Sequence, residues 1–331
     1  MDRYSAETKP ANRLRMDHAR VSFVAMAAVS LGLLAHCSSQ SDATTIEKSA
    51  GADSGVEDGN GRDAPSNDAS VDAETLAAQK ESEPNDGDAV DGGAQTNTMT
   101  LPGAMTGAIQ DADDKDLFSI AVAPGELWSW ELRADASSFV PHLIVFDTTP
   151  ANLNPTVAAK GAAATDVARL DHFVLGAGTF LAGVRDARNL PPSSSAHVGA
   201  PNLTYRLIAT KKTVSPMSVT LPSVVTGTLA YVGNVAIYTF SANAGTNVDL
   251  VVNAKRKAAP SALDSRLTLF DVASKTALLT NDDLNGATTD SEIHGPLPST
   301  GTYYVILENV ADMASTASVP DLSFEISLAT H

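Results

Sequence analysis

A repeat of 120 residues is the feature that most constrains how this chain can fold. The segment Thr100-Leu101-Pro102 to Thr106-Gly107 recurs as Thr220-Leu221-Pro222 to Thr226-Gly227. Further matches follow in the same order, residues 117–120 with 237–240 and Gly125 with Gly245. An ordered series of matches at one offset indicates two copies of one structural unit. The sequence therefore predicts two related modules rather than one large domain.

Both copies carry the period-two alternation of half-buried strands. Apolar residues alternate at Trp128, Trp130 and Leu132 in the first copy, and at Val248, Leu250 and Val252 in the second. Short apolar runs separated by Gly, Pro, Asn and Asp follow, and no helical pattern appears beyond the N-terminal segment. We predict an all-β chain of two tandem jelly-roll-type β-sandwich modules, after a signal peptide and a disordered acidic linker. The two Trp side chains are expected in the core rather than on an exposed platform.

The N-terminal segment has the pattern of an export signal. Five basic residues precede an apolar run over residues 21–35, which is shorter than the roughly 20 residues that a membrane-spanning helix needs. Leu34-Ala35-His36-Cys37 resembles the lipobox of bacterial lipoproteins, although that family has Gly, Ala or Ser where His36 stands. The resemblance implies removal of residues 1–36 and a membrane anchor on lipidated Cys37. The alternatives are an ordinary secretory signal or an uncleaved anchor.

Cysteine count and charge restrict the remaining choices. Cys37 is the only cysteine, which excludes internal disulfides and zinc sites built on several thiolates. The net charge is −17, and residues 38–92 hold fourteen acidic against three basic residues. We predict a disordered acidic tether over residues 37–80, because its composition is too poor in apolar residues to offset the entropy of ordering. Nucleic-acid binding is not expected, since it depends on neutralising phosphates with Lys and Arg.

The order of motifs resembles the bacterial pre-peptidase C-terminal domain. In the first copy the resemblance is carried by Glu81-Ser82-Glu83-Pro84-Asn85-Asp86 and by Asp113-Asp114-Lys115-Asp116 entering a strand. In the second it is carried by Gly301-Thr302-Tyr303-Tyr304. It implies β-sandwich modules over residues 81–211 and 212–331, without catalytic activity. In that family such modules are associated with propeptides, with targeting of secreted enzymes or with substrate binding.

The same resemblance implies a calcium site in the first module. Calcium takes six to eight oxygen ligands, and its candidate ligands here are Glu81, Glu83, Asn85, Asp86, Asp113 and Asp116. The alternative is that these are solvated loop residues. The second copy has Lys211 and Lys212 before it and Ala236 in place of Asp116, so we predict no matching site there. Asn281, Asp282, Asp283 and Asp290 are expected to be turn formers.

No motif of a hydrolase is present, and we predict that the chain is not an enzyme. The isolated histidines His142, His172, His197 and His294 are expected to be packed or surface residues. The predicted function is a lipid-anchored cell-surface or periplasmic protein whose tandem modules have a binding or a structural role, with extracellular polysaccharide or protein as the expected partner. The alternative is an accessory, propeptide-like partner of a secreted peptidase or other hydrolase. With Ser38 after Cys37, resemblance to Gram-negative lipoproteins implies the cell envelope, at the outer membrane or cell surface.

Overall fold

The computed structural model describes residues 76–85, 96–112, 114–135, 139–148, 156–161, 163, 166–190, 198–284, 288–310, 314–315 and 320–331. These residues are built from β-strands, joined by turns and by one 3-10 helix at Ala187–Asn189. None of them lies in a helix long and apolar enough to cross a membrane. The predicted export segment, with His36 and Cys37, lies outside the described residues.

The first ten strands form two sheets, which together make the first module. Their bounds are β1 Ala78–Lys80, β2 Asn97–Thr98, β3 Gly103–Ala108, β4 Asp116–Ile120, β5 Leu127–Ala134, β6 Pro141–Asp147, β7 Val157–Gly161, β8 Val167–Phe173, β9 Phe180–Asp186 and β10 Thr204–Lys212.

The later strands form a second pair of sheets, the second module. Their bounds are β11 Met217–Ser218, β12 Ser223–Thr228, β13 Ala236–Ala242, β14 Asn247–Asn253, β15 Ser265–Asp271, β16 Thr276–Asn281, β17 Glu292–Pro296, β18 Gly301–Asn309, β19 Ala314–Ser315 and β20 Ser323–Thr330. Of these, β19 joins a first-module sheet, where it pairs with β7.

The two modules share one topology. In the first, the sheet orders are β1-β3-β10-β5-β8 and β7-β6-β9-β4-β2; in the second, they are β12-β20-β14-β17 and β16-β15-β18-β13-β11. Apart from β1, which has no counterpart among the described strands of the second module, matching strands occupy matching places, so the 120-residue repeat is a repeat of strand order and pairing. The long strands pair antiparallel, and the prediction of an all-β chain of two jelly-roll-type sandwiches is confirmed.

Each module has its own core between its two sheets. The alternating residues predicted to point inward are buried in both copies, with Trp130, Leu132, Leu250 and Val252 at 0 % exposure. Trp128 is also buried, so the prediction of core tryptophans is confirmed. Burial of these side chains removes apolar surface from water at roughly 25 cal/mol per Å², which stabilises the sandwich.

A turn that contains a glycine precedes β5 in the first module and β14 in the second. Gly125 has φ +83° and Gly245 has φ +78°, a conformation that other residues rarely adopt. The backbone N–H of Gly125 donates to the Val174 carbonyl at 2.8 Å, and that of Gly245 donates to the Leu297 carbonyl at the same distance. The repeated glycine therefore marks a repeated turn.

The predicted tether and the described residues overlap from Leu76 onward. Within this overlap Ala78–Lys80 form strand β1, which runs parallel to β3, rather than unstructured chain. The reason is a backbone ladder to β3 together with a hydrogen bond from the Thr106 hydroxyl to the Gln79 carbonyl. The chain is thus part of the first sheet before it reaches Glu81.

Candidate metal site

Glu81 directly follows strand β1 and lies beside strand β3. The Glu81 backbone N–H donates to the Thr106 carbonyl at 3.0 Å. A side chain at Gly107 would collide with the Glu81 carboxylate and with the Tyr205 hydroxyl. The glycine of the repeated Thr-Gly pair thus makes room for two functional groups in the first module.

Three carboxylates from two parts of the chain converge at this point. Glu81 and Glu83 follow β1, whereas Asp116 is the first residue of β4 in the opposite sheet. One oxygen from each lies within 4.8 Å of the others, a grouping able to hold a metal ion. Asp116 is fully buried, Glu81 is 9 % exposed and Glu83 is exposed. The group thus extends from the module interior to its surface.

Tyr205 of β10 lies between two of these acids. Its hydroxyl oxygen is 2.8 Å from Glu81 Oε2 and 2.6 Å from Asp116 Oδ2. A tyrosine hydroxyl has one proton and can donate to only one of the two carboxylates. The second short contact requires another positive partner, either a proton on a carboxyl group or a bound cation.

Further oxygen atoms at the site lack partners. Asp116 Oδ1 and both side-chain polar atoms of Asn85 are buried and form no hydrogen bond among the described residues. Asn85 is fully buried, and its backbone carbonyl accepts from the Leu117 N–H at 3.1 Å, which places it next to Asp116. Buried polar atoms without partners are costly. A cation held by the three carboxylates would offset the cost of burying the Asp116 carboxyl group among other acids.

The electrostatics of the site favour positive charge. Burial and the negative charge of Glu81 together raise the pKa of Asp116 to about 9, against the opposing effect of the hydrogen bond from Tyr205. Burial and the same two acids raise the pKa of Tyr205, so its hydroxyl stays protonated. A buried carboxyl group among like charges either takes up a proton or binds a cation.

Other hydrogen bonds orient the carboxylates before any ion arrives. Glu81 Oε1 accepts from the Ala108 N–H at 2.6 Å. Glu83 accepts from the Asn85 N–H at 3.1 Å and from Gln110 Nε2 at 2.9 Å. A cavity of about 680 Å³ lined by Glu81, Glu83 and Tyr205 gives access from solvent. An all-oxygen donor set suits a hard dication such as Ca²⁺ and not a soft metal.

The predicted ligands are placed as follows. Glu81, Glu83 and Asp116 come together, with Asn85 beside them. Asp86 and Asp113 lie outside the described residues. The sequence analysis named Gly107 and Asp114 within motifs but did not assign them to the site, and it did not find Tyr205. The charge of the buried Asp114 also raises the pKa of Asp116.

The second module has apolar side chains at the equivalent positions. Ala236 corresponds to Asp116, and Phe324, which pairs with Gly227 as Tyr205 pairs with Gly107, corresponds to Tyr205. Both are buried. Asp290 of this module accepts hydrogen bonds from the backbone N–H groups of Ala254, Lys255 and Arg256 and from Arg256 Nε. Its carboxylate therefore fixes a loop.

Comparisons with known proteins give structural similarity only. No family model matches the sequence, and no curated protein matches it. The pre-peptidase C-terminal domain of a Bacillus anthracis collagenase covers 36 % of this chain and 98 % of its own, at 12 % identity and a TM-score of 0.28. Aeromonas hydrophila PliG, a periplasmic inhibitor of g-type lysozyme, covers 35 % and 96 %, at 16 % identity and a TM-score of 0.26. Tandem CBM51 modules of a Streptococcus pneumoniae family 98 glycoside hydrolase cover 68 % and 83 %, at 10 % identity and a TM-score of 0.22. These similarities fix neither a ligand nor an activity for this chain.

Proposed function

We propose that this chain is a non-catalytic lipoprotein of the cell envelope whose first β-sandwich binds calcium. The observation that carries the calcium proposal is the convergence of Glu81, Glu83 and Asp116, together with the buried Asp116 Oδ1, which has no hydrogen-bond partner among the described residues. Glu81, Glu83, Asn85 and Asp116 would hold the ion, and Tyr205 would direct its hydroxyl proton to a carboxylate. The two sandwiches would act as binding or structural modules for extracellular polysaccharide or protein.

The position of the site suggests what the ion would do. Glu81 and Glu83 belong to the segment that follows the predicted tether, whereas Asp116 belongs to the body of the sandwich. A cation shared between them would fix the incoming chain to both sheets. Calcium, abundant outside cells, would thus stabilise the junction between anchor and module.

A non-catalytic role is supported by the state of the described histidines. His142 Nδ1 accepts a hydrogen bond from Arg185 Nε at 3.3 Å. His172 is buried in the first module, and the ring nitrogens of His294 contact carboxylate oxygens of Asp249 and Glu292. A hydrolase base must instead be within hydrogen-bond reach of a nucleophile.

Calcium is expected to raise the thermal stability of the first module. Binding to the folded state alone stabilises it by about 2.7 kcal/mol at 100 times the Kd. The variant Glu83→Gln/Asp116→Asn keeps the shape of the site but replaces two carboxyl ligands with neutral amides, so the calcium-dependent gain should vanish. In chelator the same variant should be about as stable as wild type, because Asp116, with a pKa of about 9, is already neutral there and Glu83 is exposed. Differential scanning calorimetry with calcium and with chelator measures both effects.

A matched control removes two acids elsewhere. Asp282→Asn/Asp283→Asn makes the same change of charge in the second module, and its response to calcium should equal that of wild type. If the calcium-dependent gain in thermal stability is retained in the Glu83→Gln/Asp116→Asn variant, or is lost in the control, calcium binds elsewhere.

Substitution of Cys37 by alanine is expected to release the protein from the membrane. A diacyl-modified cysteine supplies the acyl chains that stable anchoring requires. In a bacterial host, wild type should incorporate labelled palmitate and sediment with membranes, whereas Cys37→Ala should do neither. His36→Ala, which restores the usual residue before the cysteine, should keep the label and speed up processing. Equal labelling of wild type and Cys37→Ala would contradict lipidation at this residue.

A further inference from the structure

Short parallel strands close the edges of three of the four sheets. Strand β1 lies on β3, β2 lies on β4, β11 lies on β13, and β19 lies on β7. The sheet β12-β20-β14-β17 has no such strand among the described residues. Its edge strand β12 is the counterpart of β3, which β1 covers. Within the described parts of the chain, the same edge is thus covered by a strand in the first module and uncovered in the second.

The covered edge shows how an added strand is held. Ala78 lies opposite Ala104, Gln79 opposite Met105 and Lys80 opposite Thr106. The Thr106 hydroxyl donates to the Gln79 carbonyl at 3.2 Å, and the Thr100 backbone N–H donates to Gln79 Oε1 at 3.1 Å. The Thr106 carbonyl accepts from Glu81 N–H, so the polar backbone groups of Thr106 face β1.

The open edge repeats these groups. Thr220 and Thr226 stand at the positions of Thr100 and Thr106. Thr226 pairs with Glu325 of β20 as Thr106 pairs with Arg206 of β10, so its N–H and C=O face away from β20, towards the open side. Val224 is 62 % exposed, whereas its counterpart Ala104 is fully buried. An edge with free backbone groups and an exposed apolar side chain is a template for another strand.

Charge indicates what kind of segment fits. In the first module Arg206 donates to the Leu76 carbonyl at 2.5 Å. In the second module the corresponding residue is Glu325, which has no ion pair within the described part of the chain. A strand added to β12 would place the residue opposite Thr226 next to this carboxylate. A basic side chain at that position would be attracted to it.

We propose that the β12 edge binds an extended, basic segment of a partner protein, which adds to the sheet as a parallel strand. Main-chain hydrogen bonds would supply affinity, and the side chains opposite Val224 and Thr226 would supply specificity. A small residue is expected opposite Val224, and Lys or Arg opposite Thr226. This inference depends on neither the calcium site nor the lipid anchor.

The chain itself supplies a probe. A synthetic peptide with the sequence of residues 76–82 has Ala to face Val224 and Lys to face Thr226, in the register that β1 adopts on β3. Its fluorescence anisotropy with the full chain should show saturable binding below about 1 mM. The peptide with Lys80→Glu should bind at least about tenfold more weakly.

Two variants locate the binding edge. Thr226→Pro removes an outward N–H without breaking the β12–β20 ladder and should abolish binding. Glu325→Lys, which keeps the backbone, should weaken binding at least about tenfold. Leu279→Lys changes another exposed large apolar residue, on β16, and should leave binding unchanged. Absence of binding at about 1 mM, or binding that Glu325→Lys and Thr226→Pro leave intact, would overturn the proposal; the latter would show that the peptide occupies another edge, such as that of β3.

Discussion

Replacement of Asp171 by alanine is expected to lower the free energy of unfolding by about 3–5 kcal/mol and to uncouple the two modules. Asp171 lies on β8 and is 2 % exposed. Its Oδ2 accepts from the Tyr231 hydroxyl at 2.7 Å, from Asn234 Nδ2 at 3.1 Å and from Lys212 Nζ at 2.9 Å. Tyr231 and Asn234 belong to the turn between β12 and β13. One carboxylate of the first module therefore accepts hydrogen bonds from two residues of the second.

The loss should be large because the donors would lose a buried acceptor. Burial and the Asp171 charge raise the pKa of Tyr231, which therefore remains a donor at neutral pH. Hydrogen bonds to charged groups contribute about 1.5–3 kcal/mol each, and members of one network are not additive. The Asp171 backbone N–H also donates to the Gly233 carbonyl at 2.8 Å, a bond that alanine retains. Calorimetry should show one transition in wild type and two in Asp171→Ala.

A surface pair on the neighbouring strand gives the matched control. Lys211 pairs with Glu126 at 2.5 Å, but their side chains are 53 % and 22 % exposed. Exposed pairs contribute up to about 1 kcal/mol, so Lys211→Ala, which removes the pair but keeps the other hydrogen bonds of Glu126, should cost little and leave the modules coupled. An equal, small loss in the two variants would mean that Asp171 does not join the modules.

The alternation of the sequence predicted those strands that have one buried face. In β14, Val248, Leu250 and Val252 are buried while the residues between them are partly exposed. In β8 and β15 the alternation fails, because residues 170–173 and all of β15 are buried. One face of β8 meets the first core through Leu170, and the other meets the second module through Asp171 and Phe173. Pattern analysis of each copy alone cannot reveal a surface that the other copy covers.

Aromatic contacts between the two modules were also not predictable from the pattern of either copy. The ring centroid of Phe173 lies 5.1 Å from that of Phe270, edge to face, and 6.2 Å from that of Tyr304. Phe270 belongs to β15 and Tyr304 to β18, so these pairs cross from one module to the other. Such pairs contribute about 0.5–1.5 kcal/mol beyond the area that they bury. Nothing in the local sequence of Phe173 distinguishes it from a residue of its own core.

The sequence predicted the acidic residues of the candidate site but not its tyrosine. Acids at alternate positions, Glu81 and Glu83, and an acid entering a strand, Asp116, are visible in the sequence. Tyr205 is not, because it is 124 residues from Glu81. A comparison of the two copies could have identified Tyr205 as a site residue. Ala236 stands in the place of Asp116 and Phe324 in the place of Tyr205, so both polar groups are absent from the second module. Joint loss of polar groups indicates that they act together.

The second large effect concerns acid stability and originates at His172. This residue of β8 is 1 % exposed, and neither ring nitrogen has a partner among the described residues. Burial lowers its pKa from 6.5 to about 4, although the charge of Asp147 opposes the shift. Between these values the unfolded chain binds a proton that the folded protein does not. The contribution of His172 to the free energy of unfolding is therefore fully present above pH 6.5. It is lost as the pH falls towards 4, by about 3 kcal/mol in all.

The variant His172→Leu isolates this contribution from that of the carboxylates. Leucine is similar in volume, does not titrate and breaks no hydrogen bond, so at pH 8 it should change stability by less than about 1.5 kcal/mol. As the pH falls from 6.5 to 4, urea unfolding should show the variant gaining about 3 kcal/mol relative to wild type. Phe173→Leu, at a buried residue of the same strand that does not titrate, is the control, and its difference from wild type should not change with pH. A difference between wild type and His172→Leu that stays constant with pH would mean that His172 can be protonated within the fold, and that β8 does not hold it in a dry core.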